Sequence, residues 1–98
     1  MAIQANYKGY VSGTGRGIYT GAGYLMLLIA SHSEATAQTV TFYDNHTLGG
    51  NILFQFQISA DADVLFIQFP ESCRPQFENG LAIDPSGCDV FVIVEGIA

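Results

Sequence analysis

Residues 52–58 alternate more cleanly than any other stretch of this chain. Ile52, Phe54, Phe56 and Ile58 fall on one side, and Leu53, Gln55 and Gln57 on the other. A period of two belongs to a strand with one face buried, not to a helix. Further strand-like runs follow the same rhythm. Residues 39–43 are β-branched and aromatic, a composition that fits a pleated surface. Residues 24–31, 64–69 and 90–94 are apolar on both faces, and 81–83 form a short run between the last two. Turn chemistry separates them: Asp44 to Gly50, Ala60 to Asp63, Pro70 to Ser72, Glu78 to Gly80 and Asp84 to Gly87. Asx side chains, proline and glycine each reverse a chain for a defined local reason. Strands recurring about every dozen residues with such punctuation imply a sandwich or barrel.

The first 23 residues differ. Gly9, Gly13, Gly15, Gly17, Gly21 and Gly23 crowd into this segment. Each would cost a helix about 1 kcal/mol relative to alanine, whereas turns, bulges and extended segments accept them. Residues 1–23 therefore read as an N-terminal arm and Gly-rich edge segment, and 24–98 as the β-sandwich domain. At 98 residues the chain is one domain overall. The predicted fold is all-β: a small antiparallel β-sandwich, jelly-roll-like, with an extended Gly-rich arm. Within this segment, residues 1–12 read as an arm or edge strand and carry Tyr7, Tyr10 and Val11, the candidate partner-binding residues.

Charge narrows the partners. Only 12% of residues are charged while 49% are hydrophobic, and the net charge is −6. So small a domain buries only about 60–70% of its unfolded surface, so excess apolar surface points to oligomerisation or docking. The fixed cations are Lys8, Arg16 and Arg74. Three scattered cations cannot neutralise a run of phosphates, which disfavours direct nucleic-acid binding and an anionic membrane. The longest apolar run, residues 24–30, falls short of the ~20 residues that span a bilayer. The first eight residues lack the basic start and apolar stretch of a secretory leader. The expectation is a chain made in a cytoplasm, with Cys73 and Cys88 as free thiols by default. A disulfide between them stays open at this point.

Catalytic and cofactor chemistry finds no foothold. His32 and His46 fall in predicted loops with no GxSxG or HExxH around them. Asp61 and Asp63 read as solvated turn acids, and the full calcium-loop pattern is absent. The glycine segment lacks a phosphate-binding motif. The expectation is no enzyme, no cofactor and no metal. Phe42, Phe54, Phe56, Phe66 and Phe91 lie inside strand patterns and are assigned to the core. Tyr7, Tyr10, Tyr19 and Tyr43 are freer to serve a surface, because tyrosine buries a ring while its hydroxyl stays wet.

The stretch from Thr36 to Asn45, with Thr39, Val40, Thr41, Phe42, Tyr43 and Asp44 inside it, resembles a segment of small phage virion proteins. Phe69 and Pro70, then Phe77 to Ile83, and Asp89 to Val92 are similar to the rest of that pattern. The likeness covers roughly residues 20–95 and resembles the capsid decoration, or cement, proteins of tailed phages. It implies a β-sandwich, a homotrimer in the usual case, bound to the major capsid protein on the outer surface of the mature shell and clamping neighbouring capsomers. Its location would be the virion, assembled in the host cytoplasm. The resemblance carries over no catalytic or interface residue. The alternative is a carbohydrate-binding or structural module of a phage tail or fibre.

Overall fold

The computed structural model describes residues 6–32, 36–58 and 64–96. Nine strands account for most of them: β1 (Asn6–Ser12), β2 (Arg16–Thr20), β3 (Gly23–Ser31), β4 (Gln38–Tyr43), β5 (Ile52–Ile58), β6 (Val64–Gln68), β7 (Gln76–Phe77), β8 (Gly80–Asp84) and β9 (Asp89–Gly96). Every pairing is antiparallel. One sheet runs β1-β9-β3-β6, with β7 also on β3; the other runs β2-β8-β4-β5. With the two-residue β7 set aside, that interleaving is the order of a jelly roll. The two sheets pack as a β-sandwich with no α-helix among the described residues.

The core lies between the sheets. Val90, Val92 and Val94 of β9 point inward with Leu25, Leu28 and Ala30 of β3. The second sheet answers with Val40, Phe42, Leu81 and Ile83. Phe42 stacks on Phe54 at 4.5 Å and 12°. On β3 the inward phase shifts between Leu25 and Leu28 because Met26 is an extra residue in the ladder to β9. A bulge re-aims side chains in this way. Here it also marks where β3 changes neighbour, from β6 at Leu27 to β7 at Tyr24.

Of the two readings of residues 1–12, arm or edge strand, residues 6–12 take the second: they are β1, at the sheet edge and paired with β9 from Asn6↔Glu95 to Ser12↔Asp89. Four other expectations are corrected by the structure. The glycine segment holds a further strand, β2. Its glycine, Gly17, serves close approach: a side chain there would overlap the His46 carbonyl, where the loop from Asp44 to Asn51 folds across the outer face. The Asp44 carboxylate anchors that loop by accepting from the Glu78 and Asn79 amides at 3.0 and 2.9 Å. Ile52 does not share a face with Phe54, because Leu53 is a bulged residue between Phe42↔Phe54 and Tyr43↔Ile52; Ile52 is exposed and Leu53 packs against the core. Phe66 and Phe91 are outside the core, on the outer face of the five-stranded sheet. His32 is buried rather than a surface histidine.

Candidate docking surface

Strand register assembles the outer face of the five-stranded sheet row by row. Inward residues alternate with outward ones, so the buried valines of β9 place Phe91 and Ile93 on the opposite face. Tyr10 pairs with Phe91, Phe91 with Ile29, and Ile29 with Phe66. These four side chains form one apolar row across four strands, about 14 Å from first to last strand at the usual spacing. Its two ends are the most open: Tyr10 is 54% exposed and Phe66 57%. The next row is Lys8, Ile93, Leu27 and Gln68; on the other side lie Ser12, Asp89, Ser31 and Val64. An apolar centre with polar ends is the anatomy of a protein interface.

The face deepens towards the β3 bulge. A shallow depression of about 160 Å³ is lined by Met26, Leu27, Gln68, Phe69, Arg74 and Ile93. Beyond it a more polar hollow of about 340 Å³ is lined by Tyr24, Glu71, Arg74 and Glu95. Arg74 Nη1 donates to Glu95 Oε1 at 3.4 Å, a half-buried ion pair at the rim. The Arg74 Nε is buried with no hydrogen-bond partner among the described residues.

The other sheet presents a different outer face. Thr39, Thr41, Gln55 and Gln57 occupy it, with Gln55 Nε2 donating to Thr41 Oγ1 at 2.8 Å. Exposed apolar side chains on this side are Ile52 at the end of β5 and Leu48 in the folded-back loop, whereas Tyr10, Val64 and Phe66 share the outer face of the five-stranded sheet.

The three candidate contact residues separate. Tyr10 lies at one end of the apolar row. Val11, one residue on, is 1% exposed and belongs to the core, because alternation turns it inward. Tyr7 pairs with Val94 in the ladder, but its side chain lies outside the described residues. Sequence reasoning missed Ile29, Phe66 and Phe91 as surface residues. The signal was present: residues 64–67 and 90–94 are apolar at every position, and a strand has only one face to give to a core.

Other chemistry stays dispersed. Among the described residues no three His, Cys, Asp or Glu side chains converge to hold a metal. His46 is exposed on the folded-back loop, its amide donating to Asn45 Oδ1 at 2.8 Å. Asp61 and Asp63 lie outside the described residues. Cys73 and Cys88 are both free thiols, the first exposed and the second buried.

A scan against protein-family models and a search of curated proteins each find no match to this chain. The docking reading therefore stands on the register of the sheet itself.

Proposed function

We propose that this protein is a non-catalytic structural module that docks on a protein surface through the outer face of its five-stranded sheet, and that the surface is the outside of a tailed-phage capsid. One observation carries the docking half: the row Tyr10, Phe91, Ile29 and Phe66, open at both ends in a chain with few charges. Covering about 100 Å² of the Phe66 ring would contribute roughly 2–3 kcal/mol. The capsid half comes from the resemblance carried by residues 36–45 and 69–92. A jelly roll is compatible with it, but the same fold serves lectins and other binding proteins.

The mechanism is linkage. A module that binds the expanded shell and not its precursor stabilises the expanded state by mass action. Copies joined to one another raise avidity without any single tight contact, and the resemblance implies three.

Co-sedimentation with purified expanded shells tests the reading. Tyr10→Glu with Phe66→Glu places two charges in the row where the native side chains are already exposed, so the fold should persist. Binding should weaken at least about tenfold, the equivalent of 1.4 kcal/mol. Unchanged pelleting of the double variant would move the docking surface elsewhere, and wild type that ignores shells would reject the capsid partner. Tyr10, Phe91 and Phe66 also make an aromatic platform on one flat face, which favours a glycan-binding tail module as second reading. A glycan array with wild type and the same variant separates the two.

A further inference from the structure

We propose that the flank of the sandwich formed by β5 and β6 is the seam through which copies of this chain assemble. The proposal rests on the multi-copy part of the reading above and not on the capsid.

The two flanks of the sandwich are built differently. On the β1–β2 flank Val11 and Ile18 are buried. Arg16 Nη2 crosses from β2 and donates to the Tyr10 carbonyl on β1 at 2.7 Å. That bond ties the two edge strands of this flank together. On the β5–β6 flank the core stays open. Leu53, Phe54, Phe56, Leu65, Ile67 and the following Phe69 all pack against the buried cluster yet remain only partly covered. The aromatic stack that begins at Phe42 continues through Phe54 to Phe69, at 6.0 Å edge-on, and stops at this flank.

The edge strands differ in the same sense. Natural sheets blunt their edges with charge, glycine, bulges or short length. β1 carries Lys8 and Gly9, β2 carries Arg16, Gly17 and a bulge, and β6 is five residues long. β5 carries no charge, proline or glycine, and beyond its bulge at Leu53 residues 54–58 pair regularly with β4 and leave a straight outer edge. Such an edge leaves half its amides and carbonyls directed outward as a template for another strand.

Charge selects the occupant. Each copy has net charge −6, so two copies repel over most approaches. Neither β5 nor β6 contains a charged residue, so along the strands themselves like chains meet without like charges; Asp61 and Asp63 belong to the segment that joins the two strands. A cationic partner would find no handle on the same strands. At about 3.4 Å per residue β5 is about 24 Å long, and with the 18 Å of the shortest molecular axis as its depth the flank offers at most about 430 Å² per copy. The two copies together bury about 860 Å², short of the ~1,000 Å² of a stable specific interface, so the contact is a weak, reversible one at the micromolar end.

Sedimentation equilibrium of the full chain over roughly 1–200 µM brackets such an affinity. Wild type should climb to a closed oligomer. Ile52→Lys with Gln57→Lys, both at exposed positions of β5, should associate at least about tenfold more weakly while circular dichroism and melting stay native. Thr20→Lys, at an exposed position of β2 on the sealed flank, should keep the wild-type mass. Should the β5 variant lose its native spectrum, Val64→Glu on β6 takes its place with the same expected loss. Wild type that remains a monomer throughout, or an oligomer that survives the folded flank variant, overturns the seam. Shell binding is scored separately: an oligomer that ignores shells rejects the capsid reading and leaves the seam intact.

Discussion

Cys88 shows how far one side chain's surroundings set its chemistry. It is buried at the end of the Asp84–Cys88 turn, where its amide donates to the Pro85 carbonyl at 2.9 Å. Burial pushes the Cys88 thiol up, and the neighbouring Asp89 carboxylate adds to the effect. The reactive species is the thiolate. At pH 8 Cys88 should therefore alkylate at least about tenfold more slowly than exposed Cys73 and catch up only in denaturant, which peptide mass spectrometry resolves. Equal rates would mean that the turn opens freely. The linkage has a sign: the unfolded thiol ionises first, so the unfolded chain binds fewer protons above about pH 8.5 and stability falls as pH rises from there. At this scale the sequence was legible only in part. Tyr10 is exposed as a tyrosine near an edge can be, but its neighbour Val11 turns inward and Phe66 outward. The mark of the outward face is a polar residue in phase at a strand end, Gln68 two positions from Phe66 and Asp89 two from Phe91, and it is weak beside the apolar residues between.

Strands were easier to read than side chains. Residues 52–58 show their alternation because one side of β5 is glutamine, and β5 has those bounds in the structure. β2 stayed hidden because the glycines in and around it resemble turn residues. Gly17 serves instead to admit the His46 carbonyl, a contact between segments far apart in sequence. β1 was legible as an edge strand or an arm, and the ladder to β9 decides between them. Deleting residues 1–12 tests the difference. It removes a strand from the five-stranded sheet and uncovers the inner side of β9 at Val90 and Val92. Loss of Val11 burial alone costs about 1.5–3 kcal/mol. In a domain of this size each 1 kcal/mol lowers Tm by roughly 4–8 °C. The truncated chain should melt at least about 10 °C lower or lose its cooperative transition. A melt that matches the full chain would make β1 dispensable.

The whole molecule separates its surfaces by chemistry. One sheet face is threonine and glutamine, the opposite face is an apolar row, one flank is bridged by Arg16, and the other ends in uncharged strands. An overall charge of −6 then acts on assembly as a repulsion that the seam must overcome. The screening length shrinks from about 30 Å at 0.01 M salt to about 8 Å at 0.15 M. Apolar contact and backbone pairing change little over that range, whereas repulsion between copies weakens. Self-association should therefore tighten as salt rises, several-fold between these two conditions, when followed by sedimentation equilibrium. An interface held by ion pairs would respond the other way, because screening weakens attraction between opposite charges. Loosening with salt would place cations such as Lys8 or Arg74 in the contact and would move the seam off β5 and β6, which have none.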